Sequence, residues 1–388
     1  MRHFSLPIRT ALALRLLCCA ALLLEACSSA PGNGYRPRHE SYRPLHATGF
    51  ALFAEADSSS VLQIRTPWGG SDSCTYYFLS RGGELPPEGF QGTLLPRSPE
   101  RIVCMSSTYV AMLDAVGQSH RIVGVSGADY LSNPEVHRRY LDGRVHEVGY
   151  DANLNFELLA AMKTDLVLLY GIGGENTAVT GKLREMGIPY IYMGEYLEQS
   201  PLAKAEWMVV IGELTGRRKM AEEAFRTAAA RYDSLCSLAA RAEKRPAVML
   251  NAPYKDTWHF PTPSSYMARF ITDAGGDYVW TGGGSSTEST PVSLEQAYLL
   301  AQRSQVWLNP GQYASLEALL ADNPRFAQTP PAVTRRVYNN NRRTTPAGGS
   351  DFWESGVVLP HVVLKDLIFI LHPELIEAGY EPYFYTRL

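Results

Sequence analysis

The pattern of apolar and polar positions changes character several times along the chain. Between Gly49 and Ser80, the runs Val61-Leu-Gln-Ile64 and Tyr76-Tyr-Phe-Leu79 flank Gly69-Gly-Ser-Asp72. Alternating and aromatic runs around a Gly-rich turn predict a β-hairpin. Gly82 to Pro99 reads as a Pro- and Gly-rich connector. From Arg101 the apolar runs become short and continuous: Arg101–Met105, Arg121–Val125, Thr164–Tyr170 and Ile188–Tyr192. Helical stretches at Thr108–Val116, Glu157–Lys163 and Val179–Met186 separate them. Buried strands alternating with helices predict a parallel, doubly wound lobe.

Strong helix formers then dominate Pro201 to Lys244, and Pro201 suits a first helical turn. One continuous helix over these roughly 40 residues would extend roughly 60 Å, more than a single lobe needs. It predicts a strut between two lobes, with Gly212 and Gly216 as points where it could bend or split. Alternation resumes with strands at Ala247–Asn251, Gln305–Asn309 and Val333–Tyr338, and helices at Ser264–Ala274, Leu294–Arg303 and Pro360–Leu371. The expected class is α/β: two doubly wound lobes joined by a single long helix, with an N-terminal β-hairpin extension. The expected divisions are 49–96 for the extension and connector, 97–199 and 246–388 for the lobes, and 200–245 for the linking helix.

The N-terminus has the composition of an address. Arg2, His3 and Arg9 precede an apolar run, Ala11 to Leu24, interrupted only by Arg15. A basic start, an apolar stretch and a small residue before the cut describe a secretory signal. Leu24-Glu-Ala-Cys27 resembles a bacterial lipobox, with Glu25 departing from the usual small residue at its position. The expectation is a signal peptide over 1–26, lipidation at Cys27, and a polar tether over 27–48. Two or more acyl chains give stable anchoring, so the expected location is the periplasm, lipid-anchored to a cell-envelope membrane.

Composition narrows the classes further. The 388 residues are 45% hydrophobic with a net charge of -3. That excludes low-complexity disorder and offers no basic field for nucleic acid. Past residue 27 there is no uncharged apolar run of the roughly 18 residues that a membrane span requires. Cys74, Cys104 and Cys236 are odd in number and widely spaced, which argues against a disulfide scaffold or zinc site. Gly171-Ile-Gly-Gly174 follows a strand but fails the dinucleotide fingerprint, because Asn176 stands where the third glycine belongs. The Walker spacing fails as well, and HExxH and GxSxG motifs are absent from the sequence. The chain reads as a binding protein, not an enzyme, and no cofactor or resident metal is expected.

A weak internal repeat is the most informative local feature. Asn155-Phe-Glu157 opens a helix leading into Leu166–Leu169, and Ser293-Leu-Glu295-Gln296 opens one leading into Val306–Leu308. Asn155 and Ser293 are natural N-caps, and Ser293 with Gln296 forms a capping box. Each glutamate then falls in an exposed first turn, giving one carboxylate per lobe for a partner carrying paired arginines.

With these residues, the chain from about Arg97 to Leu375 resembles the class III periplasmic substrate-binding proteins of ABC importers for ferric siderophores, haem and cobalamin. The carrying segments are Arg101 to Gly117, Arg121 to Val125, Asn155 to Leu169 and Leu183 to Pro189. Tyr196 to Trp207 and Asp351 to Gly356 resemble the branch found in Bacteroidota lipoproteins. The resemblance implies two Rossmann-like lobes joined by a single long helix around a ligand cleft, a modest hinge, and delivery by a monomer to an ABC permease and its ATPase, with Glu157 and Glu295 docking on the permease.

Ligand contacts are expected at strand C-termini, where α/β sheets bind ligands. In the first half these are Ser106, Ser107, Tyr109, Tyr130, Tyr170, Glu195 and Tyr196. In the second they are Tyr254, Trp258, His259, Arg342, Arg343 and Trp353. Aromatic faces, phenols and guanidinium forks suit a bulky metal chelate. Tyr109 and His259 are candidate haem-iron donors, and Arg342 and Arg343 candidate partners for propionates or siderophore acids. The expected ligand is a ferric siderophore or haem. Cobalamin, and a scavenging surface lipoprotein without a permease, stay open as alternatives.

Overall fold

The computed structural model describes residues 37, 39–55, 58–283 and 289–388. The leader and Cys27 lie outside the described residues. Among the described residues no helix is long and apolar enough to cross a membrane, and Cys104 and Cys236 are free thiols.

The N-terminal extension is larger than a hairpin. Strands β1 (His39–Tyr42), β2 (Phe50–Ala54), β3 (Ser60–Arg65), β4 (Cys74–Leu79) and β5 (Thr93–Leu95) form one sheet in chain order. The expected hairpin is its β3–β4 pair, antiparallel from Ser60 opposite Leu79 to Arg65 opposite Cys74. The stretch read as tether contributes β1, and the connector contributes β5. Three carboxylates fix this sheet to distant helices. Glu206, fully buried, accepts from the Tyr42 hydroxyl at 2.7 Å and from the amides of Leu45, His46 and Ala47 at 2.8 Å each. Glu198 accepts from the amides of Thr48 and Gly49 and from the Trp207 indole. Glu213 accepts from the Ser60 hydroxyl at 2.6 Å and pairs with Arg81 at 3.1 Å. Ionised acceptors with several N–H donors form strong hydrogen bonds. A side chain at Gly49 would meet the Trp207 ring, its Cβ 2.6 Å away, so glycine permits that close approach.

The first lobe is built on five parallel strands: β6 (Ile102–Cys104), β7 (Ile122–Val125), β8 (His146–Glu147), β9 (Leu166–Leu169) and β10 (Tyr190–Tyr192). Their order is β10-β9-β6-β7-β8, so the winding reverses between β9 and β6. The second lobe repeats the device. Strands β11 (Ala247–Leu250), β14 (Asp277–Tyr278), β16 (Val306–Leu308), β17 (Val337–Asn339) and β18 (Thr386–Arg387) lie in the order β14-β11-β16-β17-β18, with only β18 antiparallel. Its reversal falls between β11 and β16. A small antiparallel sheet of β12 (Pro253–Tyr254), β13 (Thr257–Pro261) and β15 (Ser289–Ser293) covers one side.

The connection departs from a single rod. It is three helices, Pro201–Glu206, Met208–Leu214 and Arg218–Ala239. Gly216, at φ +73, turns the chain before the third, which runs 22 residues, roughly 33 Å. Apolar packing is continuous from the N-terminal sheet through Trp207–Leu214 to the closing helix Pro360–Leu371.

Candidate ligand-binding cleft

Both reversal points open onto the same space. A cavity of about 420 Å³ lies between the lobes, lined by Ser106 after β6, Tyr170 after β9, Lys204 from the first connecting helix, and Tyr266, Phe352 and Trp353 from the second half. A larger vestibule of about 1040 Å³ adjoins it through the shared residues Ser107, Tyr130 and Trp353. Asn251 after β11 and Asn309 after β16 line the vestibule, together with Tyr254 and His259. Asn251 and Asn309 hold left-handed backbone, at φ 67 and φ 55, a conformation asparagine adopts more readily than most residues. Ligands of open α/β sheets bind at such reversal points, beyond the strand C-termini.

The structure brings together Ser106, Ser107, Tyr130, Tyr170, Glu195, Tyr196 and Trp353 around the cavity. Tyr254 and His259 stand on the outer wall. Four expected contacts are elsewhere. Tyr109 is fully buried and its hydroxyl donates to the Leu169 carbonyl at 3.1 Å, which removes it as an iron donor. Trp258 is also fully buried, stacked 5.4 Å from Phe260, and its indole N–H donates to Leu250 at 2.8 Å. Arg342 pairs with Glu381 at 2.6 Å and lies at a separate groove near the C-terminus. Arg343 pairs with Asp351 at 2.8 Å and lies 4.4 Å over the Tyr383 ring. Sequence reasoning missed Lys204, Tyr150, Tyr266 and Phe352, which reach the cavity from elements not read as strand ends.

The cavity rim is buttressed from the N-terminal sheet. The Tyr196 hydroxyl donates to the Gly171 carbonyl at 2.6 Å and accepts from the Gly69 amide at 3.1 Å. Trp68 packs edge-on against Tyr192, ring centroids 5.2 Å apart. The turn that predicted a hairpin thus holds the Gly171–Gly174 loop beside the cavity.

The lobes also touch beside the cleft. Glu354 accepts from the Ser132 and Asn133 amides at 2.7 Å each, Thr345 donates to the Asp129 carbonyl at 3.0 Å, and Gly349 lies against Tyr130. A Cβ at Gly349 would stand 2.0 Å from the Tyr130 carbonyl oxygen.

Two carboxyls here are displaced from their ordinary range. Burial lifts Glu195 from 4.5 to about 7, against the opposing charge of Lys204. Burial lifts Glu354 to about 7 as well, against the two amides that donate to it. From pH 4.5 to about 7 the native state therefore keeps protons that the unfolded chain has released, and stability falls as pH rises through that window. Thermal midpoints should drop between about pH 5 and about pH 7.5, and the double variant Glu195→Gln/Glu354→Gln should flatten that slope. An unchanged slope would assign the pH dependence to other groups.

The periplasmic binding protein family model matches residues 102–343: the first lobe, the connection, and the second lobe through β17. The chain belongs to the periplasmic binding protein family. It is 24% identical over 296 residues to an uncharacterized lipoprotein of Methanocaldococcus jannaschii, covering 74% of this chain and 68% of that one. Two solved structures share its fold. A periplasmic haem-binding protein from Pseudomonas aeruginosa aligns with a TM-score of 0.55 at 19% identity, over 75% of this chain and 99% of that one. The haem-binding protein RhuT from Roseiflexus sp. RS-1 aligns at 0.54 and 20% identity, over 71% and 99%. This periplasmic binding protein is a solute binder and not an enzyme, and its N-terminal sheet precedes the matched region.

Proposed function

We propose that this periplasmic binding protein captures a bulky metal chelate (ferric siderophore, haem or cobalamin) and delivers it to an ABC permease and its ATPase while anchored through Cys27. The observation that carries the reading is the aromatic cavity at the first lobe's reversal point, continuous with an open vestibule at the second lobe's. Its size falls in the range of small-molecule sites, roughly 300–1,000 Å³, with aromatic walls and few polar groups. Among the described residues no three His, Cys, Asp or Glu side chains converge to hold a metal, so a metal would arrive inside its own chelator. Haem-binding proteins of the same fold support a ligand of this kind.

Glu157 and Glu295 support the delivery step. Each is exposed in the first turn of a capped helix, one per lobe; Asn155 accepts from the Leu158 amide and Ser293 from the Gln296 amide. The test is to purify the protein from its native envelope and record the absorbance and mass of what accompanies it. A Soret band identifies haem, a corrin spectrum cobalamin, and a ligand-to-iron charge-transfer band a siderophore. A metal-free solute in the cleft would sink the reading.

A further inference from the structure

We infer that the cleft is built for an electroneutral chelate whose rim carries amide or hydroxamate groups, not for one bearing carboxylates or catecholates. This rests on the chelate-binding reading above and narrows it by charge. Among the described residues lining cavity and vestibule, Lys204 is the one lysine, and no guanidinium is present. Its ammonium is already engaged, 4.5 Å over the Tyr266 ring and within the field of Glu195. Arg342 and Arg343, the guanidiniums nearest in sequence, line neither space and meet Glu381 and Asp351 instead. A dianion or trianion entering the cavity would lose its hydration without a compensating charge, which is strongly unfavourable.

Uncharged polar groups are plentiful by contrast. Asn309, Asn340 and Asn341 line the vestibule. Asn251 lines it as well, its side-chain N–H donating to the His259 carbonyl at 2.9 Å. Amide donors and acceptors of both kinds at one wall complement a ligand presenting C=O and N–H in alternation. Two sources share that chemistry: ferric trihydroxamates built on peptide scaffolds, and corrinoids with amide side chains.

The experiment titrates the full chain in detergent, by tryptophan fluorescence, with four probes: a neutral ferric trihydroxamate, cyanocobalamin, ferric protoporphyrin IX with its two propionates, and a trianionic ferric tricatecholate. One neutral probe is expected to bind at least about 100-fold more tightly than either anionic one, and which neutral probe binds names the source. Its affinity should stay within about twofold between roughly 0.01 M and 1 M salt, because no net charge is neutralised on binding. An anionic probe binding as tightly as the neutral ones, or an affinity that collapses with salt, overturns the charge inference and leaves the chelate-binding reading standing. If none of the four binds, that reading falls with it.

Discussion

Replacing Glu157 and Glu295 together by lysine is expected to abolish uptake in cells while leaving ligand affinity of the purified protein within about twofold. Both carboxylates lie at helix first turns on the protein surface, away from the residues that line the cleft. Their removal therefore has no route to the ligand. At a docking interface, close charge pairs contribute strongly, and reversal converts attraction into repulsion on both lobes at once. The expected loss of permease affinity is at least about 100-fold for the double variant and intermediate for each single one. Glu295 also meets Arg325 at 3.2 Å, both groups largely exposed. Exposed pairs are weak, so the Arg325 contact would not hold Glu295 back from an arginine of the proposed permease. Uptake that survives both reversals would end the delivery model.

The second large effect concerns stability. Trp258→Ala should lower the stability of the second lobe by about 3–5 kcal/mol, the usual result of emptying a buried tryptophan site. Trp258 is packed among Phe260, Trp307 and Phe326, with ring centroids 5.4, 5.6 and 5.1 Å away. The substitution also strips the Leu250 carbonyl of its indole donor. A melt followed by circular dichroism should show a midpoint lowered by roughly 6–20 °C. Affinity measured well below that midpoint should be unchanged, and Trp258→Phe should recover much of the loss. A variant that melts normally but binds poorly would return Trp258 to the ligand site.

The contrast between Trp258 and His259 shows what sequence pattern can carry. Strand β13 alternates, with Trp258 and Phe260 buried and His259 exposed between them. Successive side chains of a strand face opposite sides, so a tryptophan and its neighbouring histidine could not both face the cleft. The short apolar strands of both lobes were legible because burial on two faces leaves continuous apolar runs. The reversal points were not, since strand order is a long-range property. The connecting segment announced its helicity through propensity, whereas its division depended on the turn at Gly216 and on burial of Met208–Leu214. The surroundings of the two arginines were not legible because Glu381 and Tyr383 reach them from some 40 positions further on, although Asp351, the ion-pair partner of Arg343, lies only eight away. The N-terminal sheet was underestimated for the same reason. The carboxylates that secure it, Glu198, Glu206 and Glu213, lie some 130 to 165 positions away from the groups they hold.

The loop from Thr345 to Glu354 already stitches one flank of the two halves together, through Asp129, Tyr130, Ser132 and Asn133. Widening the mouth therefore means shearing this seam before either half can swing. Residence time of the cargo should follow how readily the seam parts. A receptor that grips both halves would act as the lever that opens it.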